Sequence, residues 1–340
     1  MRELRKITEG AQRLTDMIYA PMYTKILFAA IELDIFDRLE QEKGHAELAE
    51  ELGLNRSNTQ SLLDALSAMD LLEKRQGLYK NTALSSQYLL RNCDWFIGDY
   101  VRVSNLGTGF EDIDIVKAVK EGPDGTNDNM QGLEAYAQFG DYTEMLKTGQ
   151  RGGGSREIAA LAASLPEFGG FKRMLDLGGG PGLTGIAIVK EHPVMEGIIF
   201  DTPEVGKTAA QSIKEYGMEK RMRVMTGDYI TDSIGGEYDF VLAMSTLNFA
   251  KHTLDSVIKK IYEALNPGGV FMCISEGLTE DMTKPCEMVA AWLPSRLRGY
   301  DFALRQGEIS DAAVRSGFKS VYKRTLNLFA GKMDIDIARK

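Results

Sequence analysis

Cysteine is scarce: the 340 residues hold only Cys93, Cys273 and Cys286, widely separated and odd in number. That excludes a disulfide framework and the close pairs of a zinc site, so we expect a reducing compartment and no metal. Nine prolines and no repeated or biased segment exclude collagen-like and low-complexity chains. Cations are outnumbered, 40 Lys and Arg against 49 Asp and Glu, for a net charge of −9. A general polyanion binder needs clustered cations, so nucleic acid is not an expected partner. Long hydrophobic runs are missing too, since even the window Ile26–Phe36 carries Glu32 and Asp34, and Met1–Gly10 leads into no apolar stretch. We therefore expect no membrane span and no secretory signal, which points to the cytoplasm.

What is present divides into two halves, and the length suits two domains. From Glu3 to about Asn92 the apolar spacing is helical, as in Ile18, Met22, Ile26, Leu27, Ala30 and Leu33. A helix over Ala46–Leu52 stops at Gly53, Asn55 is placed to cap a second helix to Asp70, and Glu73–Lys80 reads as two short strands about Gln76-Gly77. Helix, turn, helix, hairpin is the winged-helix order. Its second helix has Arg56 as its only cation beside Asp64 and Asp70, the wrong charge to meet phosphates, so packing or dimerisation is the better reading. A linking region from Asn92 to Gly154 is rich in Gly and aromatics, among them Trp95, Phe110, Tyr136, Phe139 and Tyr142, and suits the wall of an apolar pocket.

From about Lys172 strands alternate with helices, which implies a mostly parallel, doubly wound α/β sheet, and Ser320–Phe329 with Lys332–Ala338 suits a terminal antiparallel hairpin. The first strand, Arg173–Leu177, runs into Asp176-Leu177-Gly178-Gly179-Gly180-Pro181-Gly182 and then a helix. Glycines at such a turn let the backbone approach a ligand closely. The spacing is G-x-G-x-G, with Pro181 where a dinucleotide turn would continue and no Lys-Ser/Thr to make a phosphate loop. Asp201 ends the next strand, where a carboxylate can accept both hydroxyls of a ribose, and Asp228-Tyr229 ends the third, a pairing suited to an adenine. Together these describe an adenosine site without a pyrophosphate site.

With Phe200-Asp201-Thr202-Pro203-Glu204-Val205, Gly227-Asp228-Tyr229 and Leu265-Asn266-Pro267-Gly268-Gly269, the chain resembles S-adenosylmethionine-dependent methyltransferases of the caffeate and hydroxyindole O-methyltransferase type. The resemblance spans essentially the whole chain. It implies a winged-helix dimerisation domain over 1–95, a helical linking region and pocket wall over 96–154, and a Rossmann-like methyltransferase domain over 155–340, working as a homodimer. It implies S-adenosyl-L-methionine as cofactor, S-adenosyl-L-homocysteine as product and a small aromatic or heteroaromatic acceptor. Asp176, Gly178, Gly180, Gly182, Asp201, Asp228 and Tyr229 would hold the cofactor, and the element Tyr142–Met145 would precede the glycine loop.

The chain departs from this pattern at one position. Relatives carry a Leu-His pair after the fourth strand, with the His as general base; here Leu247 is followed by Asn248, and an amide cannot take up a proton at neutral pH. Three readings stay open. His252, one turn on if the segment is α-helical, could be a displaced base; Glu276 and Glu308, where the resemblance places two acids beside the His, could orient Asn248 or the substrate; or the acceptor needs no strong base, as a thiol, a nucleophilic carbon or an acidified phenol would not. The third admits C- or S-methylation, and loss of the base also admits a ligand sensor without turnover. Met145, Met244, Met288, Trp292 and Arg296 are the substrate-side candidates, the methionines as adaptable apolar lining and Arg296 as a partner for a substrate carboxylate.

Overall fold

The computed structural model describes residues 10–101, 113–123, 134 and 143–340, apart from the side chains of Glu144 and Met145. Phe110, Tyr136, Phe139 and Tyr142 and the Met145 side chain, all expected at the pocket, lie outside the described residues. The chain divides into two compact units, Met1–Arg102 and Val103–Lys340.

The first unit begins with helix α1 (Gly10–Glu32), which buries only Ala30 and Ile31 and leaves Leu14, Met17, Ile18, Tyr19, Met22 and Tyr23 exposed. There follow α2 (Ile35–Arg38), β1 (Lys43–Gly44), α3 (His45–Leu52) and α4 (Arg56–Ala68). Gly53 closes α3 at φ 66°, a left-handed stop, and the Asn55 side chain accepts the Asn58 N–H at 3.0 Å to cap α4. The strands β2 (Leu72–Arg75) and β3 (Leu78–Asn81) form an antiparallel hairpin. Its turn residues Gln76 and Gly77 both take positive φ, the twist that a two-residue hairpin loop requires. β1 adds a third strand beside β3; two residues gave no periodicity to foretell it. Asp64 of α4 accepts from Lys74 and Tyr79 of the hairpin, so the acid of the supposed reading helix is held by the wing. Helix α5 (Ala83–Tyr88) ends the motif.

In the second unit α6 (Ile115–Glu121) and α7 (Thr143–Gly149) precede a π turn, Gln150–Gly154, with Gly153 at φ 125°, and then α8 (Ser155–Ala163). The sheet contains β4 (Arg173–Leu177), β5 (Glu196–Asp201), β6 (Met222–Thr226), β7 (Tyr238–Met244), β8 (Leu265–Ser275), β9 (Ser320–Leu328) and β10 (Gly331–Arg339). Between them run α9 (Leu183–Glu191), α10 (Pro203–Glu215), α11 (Leu254–Ala264), α12 (Cys286–Leu297) and α13 (Glu308–Ser316). The spatial order is β6-β5-β4-β7-β8-β10-β9; β6 through β8 are parallel, and β10 is antiparallel to both neighbours. This is the doubly wound sheet with a terminal hairpin that the sequence predicts.

The strands are buried on both sides, which is why they read as continuous apolar runs. Met174, Ile199, Phe240 and Met272 face one core, and Leu175, Ile198, Val241 and Phe271 the other. One boundary differs from expectation: β8 starts at Leu265 rather than Val270, because the pairing with β7 jumps from Tyr238↔Leu265 to Phe240↔Val270 and carries Asn266–Gly269 as an irregular stretch inside the strand. The strand order reverses direction around β4, so the crevice at its C-terminal end is where an open α/β sheet binds ligands.

Candidate active site

The glycine loop fills that crevice, and its glycines are needed for separate reasons. Gly178, Gly180 and Gly182 all have positive φ, at 64°, 59° and 83°. A Cβ on Gly178 would stand 2.0 Å from Thr246 Oγ1 and one on Gly182 2.4 Å from Ile199 Cδ1, so close packing forbids both. A Cβ on Gly180 would meet only Leu146 Cδ1, at 3.9 Å, so a side chain there would occupy space left open beside the loop.

Two acids hold the loop in place. Asp176 is buried, and its Oδ2 accepts the Gly185 N–H at 3.0 Å in the first turn of α9. Burial pushes its carboxyl up to about 7, against the Gly185 hydrogen bond. Its carboxylate packs against Gly179 and Gly185 and so ties the loop to the first turn of α9. Asp201, at the end of β5, accepts the Gly180 N–H at 2.8 Å through Oδ2 and the Thr202 N–H at 2.7 Å through Oδ1. Burial raises its pKa, and each oxygen keeps a lone pair for a further donor.

Asp228 is half-buried and its Oδ1 accepts the Ile230 N–H at 2.9 Å. Tyr229 is the cofactor residue that departs furthest from expectation: its ring belongs to the second core, and its hydroxyl donates to the Thr246 carbonyl at 2.5 Å. Burial pushes that phenol well above its usual range. Through that bond it braces the segment after β7. Thr246, the residue laid over Gly178, and Gln150, whose Oε1 accepts the Leu183 N–H at 3.1 Å at the start of α9, are parts of the cradle that the motif reading missed. Gln150 lies 33 positions from Leu183, too far for a local pattern to connect them.

Beyond β7, Ser245 is left-handed at φ 48°, a strained conformation for a residue with a side chain, and a 3₁₀ segment follows over Leu247–Thr253. Asn248 is 2% exposed there. Its Nδ2 donates to Glu276 Oε2 at 3.1 Å and to the Phe302 carbonyl at 3.0 Å. The Phe302 carbonyl can only accept, so it fixes which end of the amide is nitrogen. Asn248 Oδ1 is buried with no hydrogen-bond partner among the described residues, at a cost of about 1–3 kcal/mol. Glu276 is buried as well, and burial raises its pKa against the Asn248 hydrogen bond.

The remaining candidates are not gathered at this point. His252 is exposed, and the backbone between it and Asn248 is kinked at Ala250 (φ −113°). Glu308, the first residue of α13, turns its Oε2 onto the Arg305 N–H at 2.8 Å in the loop before that helix. Of the two acids expected there, only Glu276 touches Asn248. Met244 is half-buried at the end of β7. Met288 packs on the terminal hairpin, where a Cβ on Gly331 would come within 2.8 Å of its Cε, so it fills space instead of lining a ligand site. Trp292 is half-buried on α12, and Arg296 is exposed in that helix's last turn, not enclosed against a substrate carboxylate. Among the described residues no group of three or more His, Cys, Asp or Glu could hold a metal ion, and no helix is long and apolar enough to cross a membrane.

Comparison with known proteins agrees with this geometry. The O-methyltransferase domain profile matches residues 141–293 and the O-methyltransferase dimerisation domain profile residues 15–91. A 3-hydroxy-5-methyl-1-naphthoate 3-O-methyltransferase of Streptomyces sahachiroi is 30% identical over 275 residues, covering 79% of this chain and 77% of its own. Acetylserotonin O-methyltransferase of Macaca mulatta is 28% identical over 298 residues, covering 82% and 83%. The crystal structure of human N-acetylserotonin methyltransferase in complex with SAM aligns over 99% of each chain at 22% identity, with a TM-score of 0.76. The chain belongs to the S-adenosylmethionine-dependent O-methyltransferase family that carries an N-terminal dimerisation domain.

Proposed function

We propose that the chain methylates a hydroxyl on a small aromatic or heteroaromatic molecule whose own acidity releases the proton, acting as a homodimer through residues 1–95, with 96–154 walling the pocket and 155–340 holding the cofactor. The observation that carries this reading is Asn248, buried on Glu276 at the position where the family's base would stand. An amide there can orient an acceptor but cannot deprotonate it, which favours a hydroxyl well below the ordinary phenol value of about 10.

The residues present fit the cofactor. The space beside Gly180, the lone pairs left on Asp201 and the half-buried Asp228 suit an adenosine with its ribose, and Gly178 and Gly182 shape the loop that carries them. When bound, the cofactor supplies an electrophilic sulfonium methyl. The chain's part is to fix the acceptor in line and to keep water out, and these two effects account for the acceleration.

Calorimetry tests the assignment. S-adenosylhomocysteine should bind the wild-type protein, and Asp201→Ala should weaken it by at least about a hundredfold, because both a ribose acceptor and the anchor of the Gly180 N–H are lost. Undiminished affinity in that variant would overturn the ribose assignment. With labelled cofactor, hydroxyarenes of graded acidity should be methylated in order of their ionised fraction at neutral pH; indifference to acidity would remove the base-free reading.

A further inference from the structure

We infer that the same centre also methylates nitrogen, with a neutral aryl or heteroaryl amine as acceptor and Asn248 Oδ1 as the group that holds it. This rests on the cofactor reading above. Both Asn248 amide protons are engaged, one by Glu276 Oε2 and one by the Phe302 carbonyl, so the side chain has a single free valence and it is an acceptor. That acceptor is buried and has no hydrogen-bond donor among the described residues. An acceptor's N–H or O–H placed against it satisfies it, and the choice between the two follows from what each atom can do afterwards.

A neutral hydroxyl that donates to Oδ1 keeps its proton, and once methylated it is a strongly acidic oxonium with no base at position 248 to relieve it. An ionised hydroxyl has no proton to give, so it leaves Oδ1 unsatisfied unless a neighbouring group donates. A neutral amine has both features on one atom: an N–H for Oδ1 and a lone pair for attack. The nitrogen pair forms the new N–C bond while the methyl–sulfur bond breaks with its pair on sulfur, the positive charge passes to nitrogen, and the ammonium product gives its proton to water once it has left the site. No general base is needed at any point, which matches the residues present.

Glu276 contributes as a positioning residue. It holds the amide with Oδ1 free, and the Phe302 carbonyl enforces the same orientation whether or not Glu276 is ionised. His252 is exposed and Glu308 is bound to the Arg305 N–H, so neither is placed as the proton acceptor that an unactivated hydroxyl would need.

The test uses the full-length protein with matched acceptor pairs, an aminonaphthalene and its naphthol twin, and an aminoindole and its hydroxyindole twin. Labelled cofactor and mass spectrometry identify the methylated atom. The amine twin should be methylated at least about tenfold faster than an unactivated hydroxyl twin, without the rise at alkaline pH that hydroxyl ionisation produces. Asn248→Leu should abolish that preference, and Asn248→His should reverse it by restoring a base beside Glu276. A readout without turnover is calorimetry with S-adenosylhomocysteine present: the amine should bind the wild type at least about fivefold more tightly than Asn248→Leu, while both bind the cofactor product equally. Equal cofactor affinity also shows that the variant is folded. Methylation of the hydroxyl twin alone, turnover of neither twin while cofactor binds, or an amine affinity indifferent to Asn248→Leu overturns the inference. Failure of wild-type protein to bind S-adenosylhomocysteine overturns instead the cofactor reading beneath it.

Discussion

At the scale of single residues, glycines of the same loop answer to different constraints, and substitution should separate them. Gly178→Ala sets a Cβ against Thr246 in a left-handed conformation, so it should cost about 1–3 kcal/mol in backbone strain and a similar amount in overpacking. Its melting temperature and its affinity for S-adenosylhomocysteine should fall together. Gly180→Ala carries the strain without the clash, and its methyl group enters the space beside the loop, so binding should suffer much more than stability. Thermal melts with and without ligand distinguish the two; equal loss of stability in both variants would mean that the Thr246 contact does not matter. His252→Ala, by contrast, should leave kcat and its pH profile unchanged, since the side chain is exposed to solvent. A lost acidic limb in that variant would return His252 to the mechanism.

At the scale of elements, β10 carries an unusual load. Asp334 and Asp336 are buried two residues apart on one face of the strand, packed against α13 and β9. Asp336 accepts from Ser310, and Asp334 accepts from Gln306 and Thr325 and lies 3.5 Å from the Lys323 amine. Cys273, on β8, is the register partner of Asp336, and its thiol is pushed up by burial and by the charges of Asp336 and Glu276. Burial, with Asp334 adding to it, raises Asp336 from 3.8 to about 6. A folded-state pKa above the unfolded value means that the folded chain prefers the protonated acid, so this contribution is complete below about pH 4 and is lost as pH rises through 6. Asp336→Asn should keep the Ser310 hydrogen bond and remove the ionisation, stabilising the protein by about 1–3 kcal/mol at pH 7.5 and by little at pH 4.5. Urea unfolding at the two pH values checks it; an equal effect at both would show that Asp336 is not titrating in this window.

At the scale of the whole molecule, α1 is a long helix whose first two-thirds bury nothing, with Ile18 at 73% and Met22 at 57% exposure. Since the dimerisation domain profile begins at residue 15, a second copy is the partner that fits this surface. Ile18→Glu with Met22→Glu should therefore yield monomers in sedimentation without unfolding the first unit, whose core at Phe36, Leu48, Leu63 and Leu66 neither residue touches. A dimer that survives both charges would place the interface elsewhere.

How much of this was legible in the chain depends on how local each feature is. Strand and helix periods, the caps at Gly53 and Asn55, the Gln76-Gly77 turn and the terminal hairpin are fixed by neighbours a few residues apart, and sequence reading located them. So were the glycine loop and the two acids that hold it. What only the tertiary structure decided is which of these groups meet. Asn248 and Glu276 are 28 positions apart, and Asn248 and Phe302 are 54 apart. Tyr229 turns inward to Thr246, Glu308 to Arg305, and His252 to solvent, because side-chain direction is set by the packing around each element. Backbone preference is a local property of the chain, whereas the chemistry of a site belongs to distances between residues that only folding brings together.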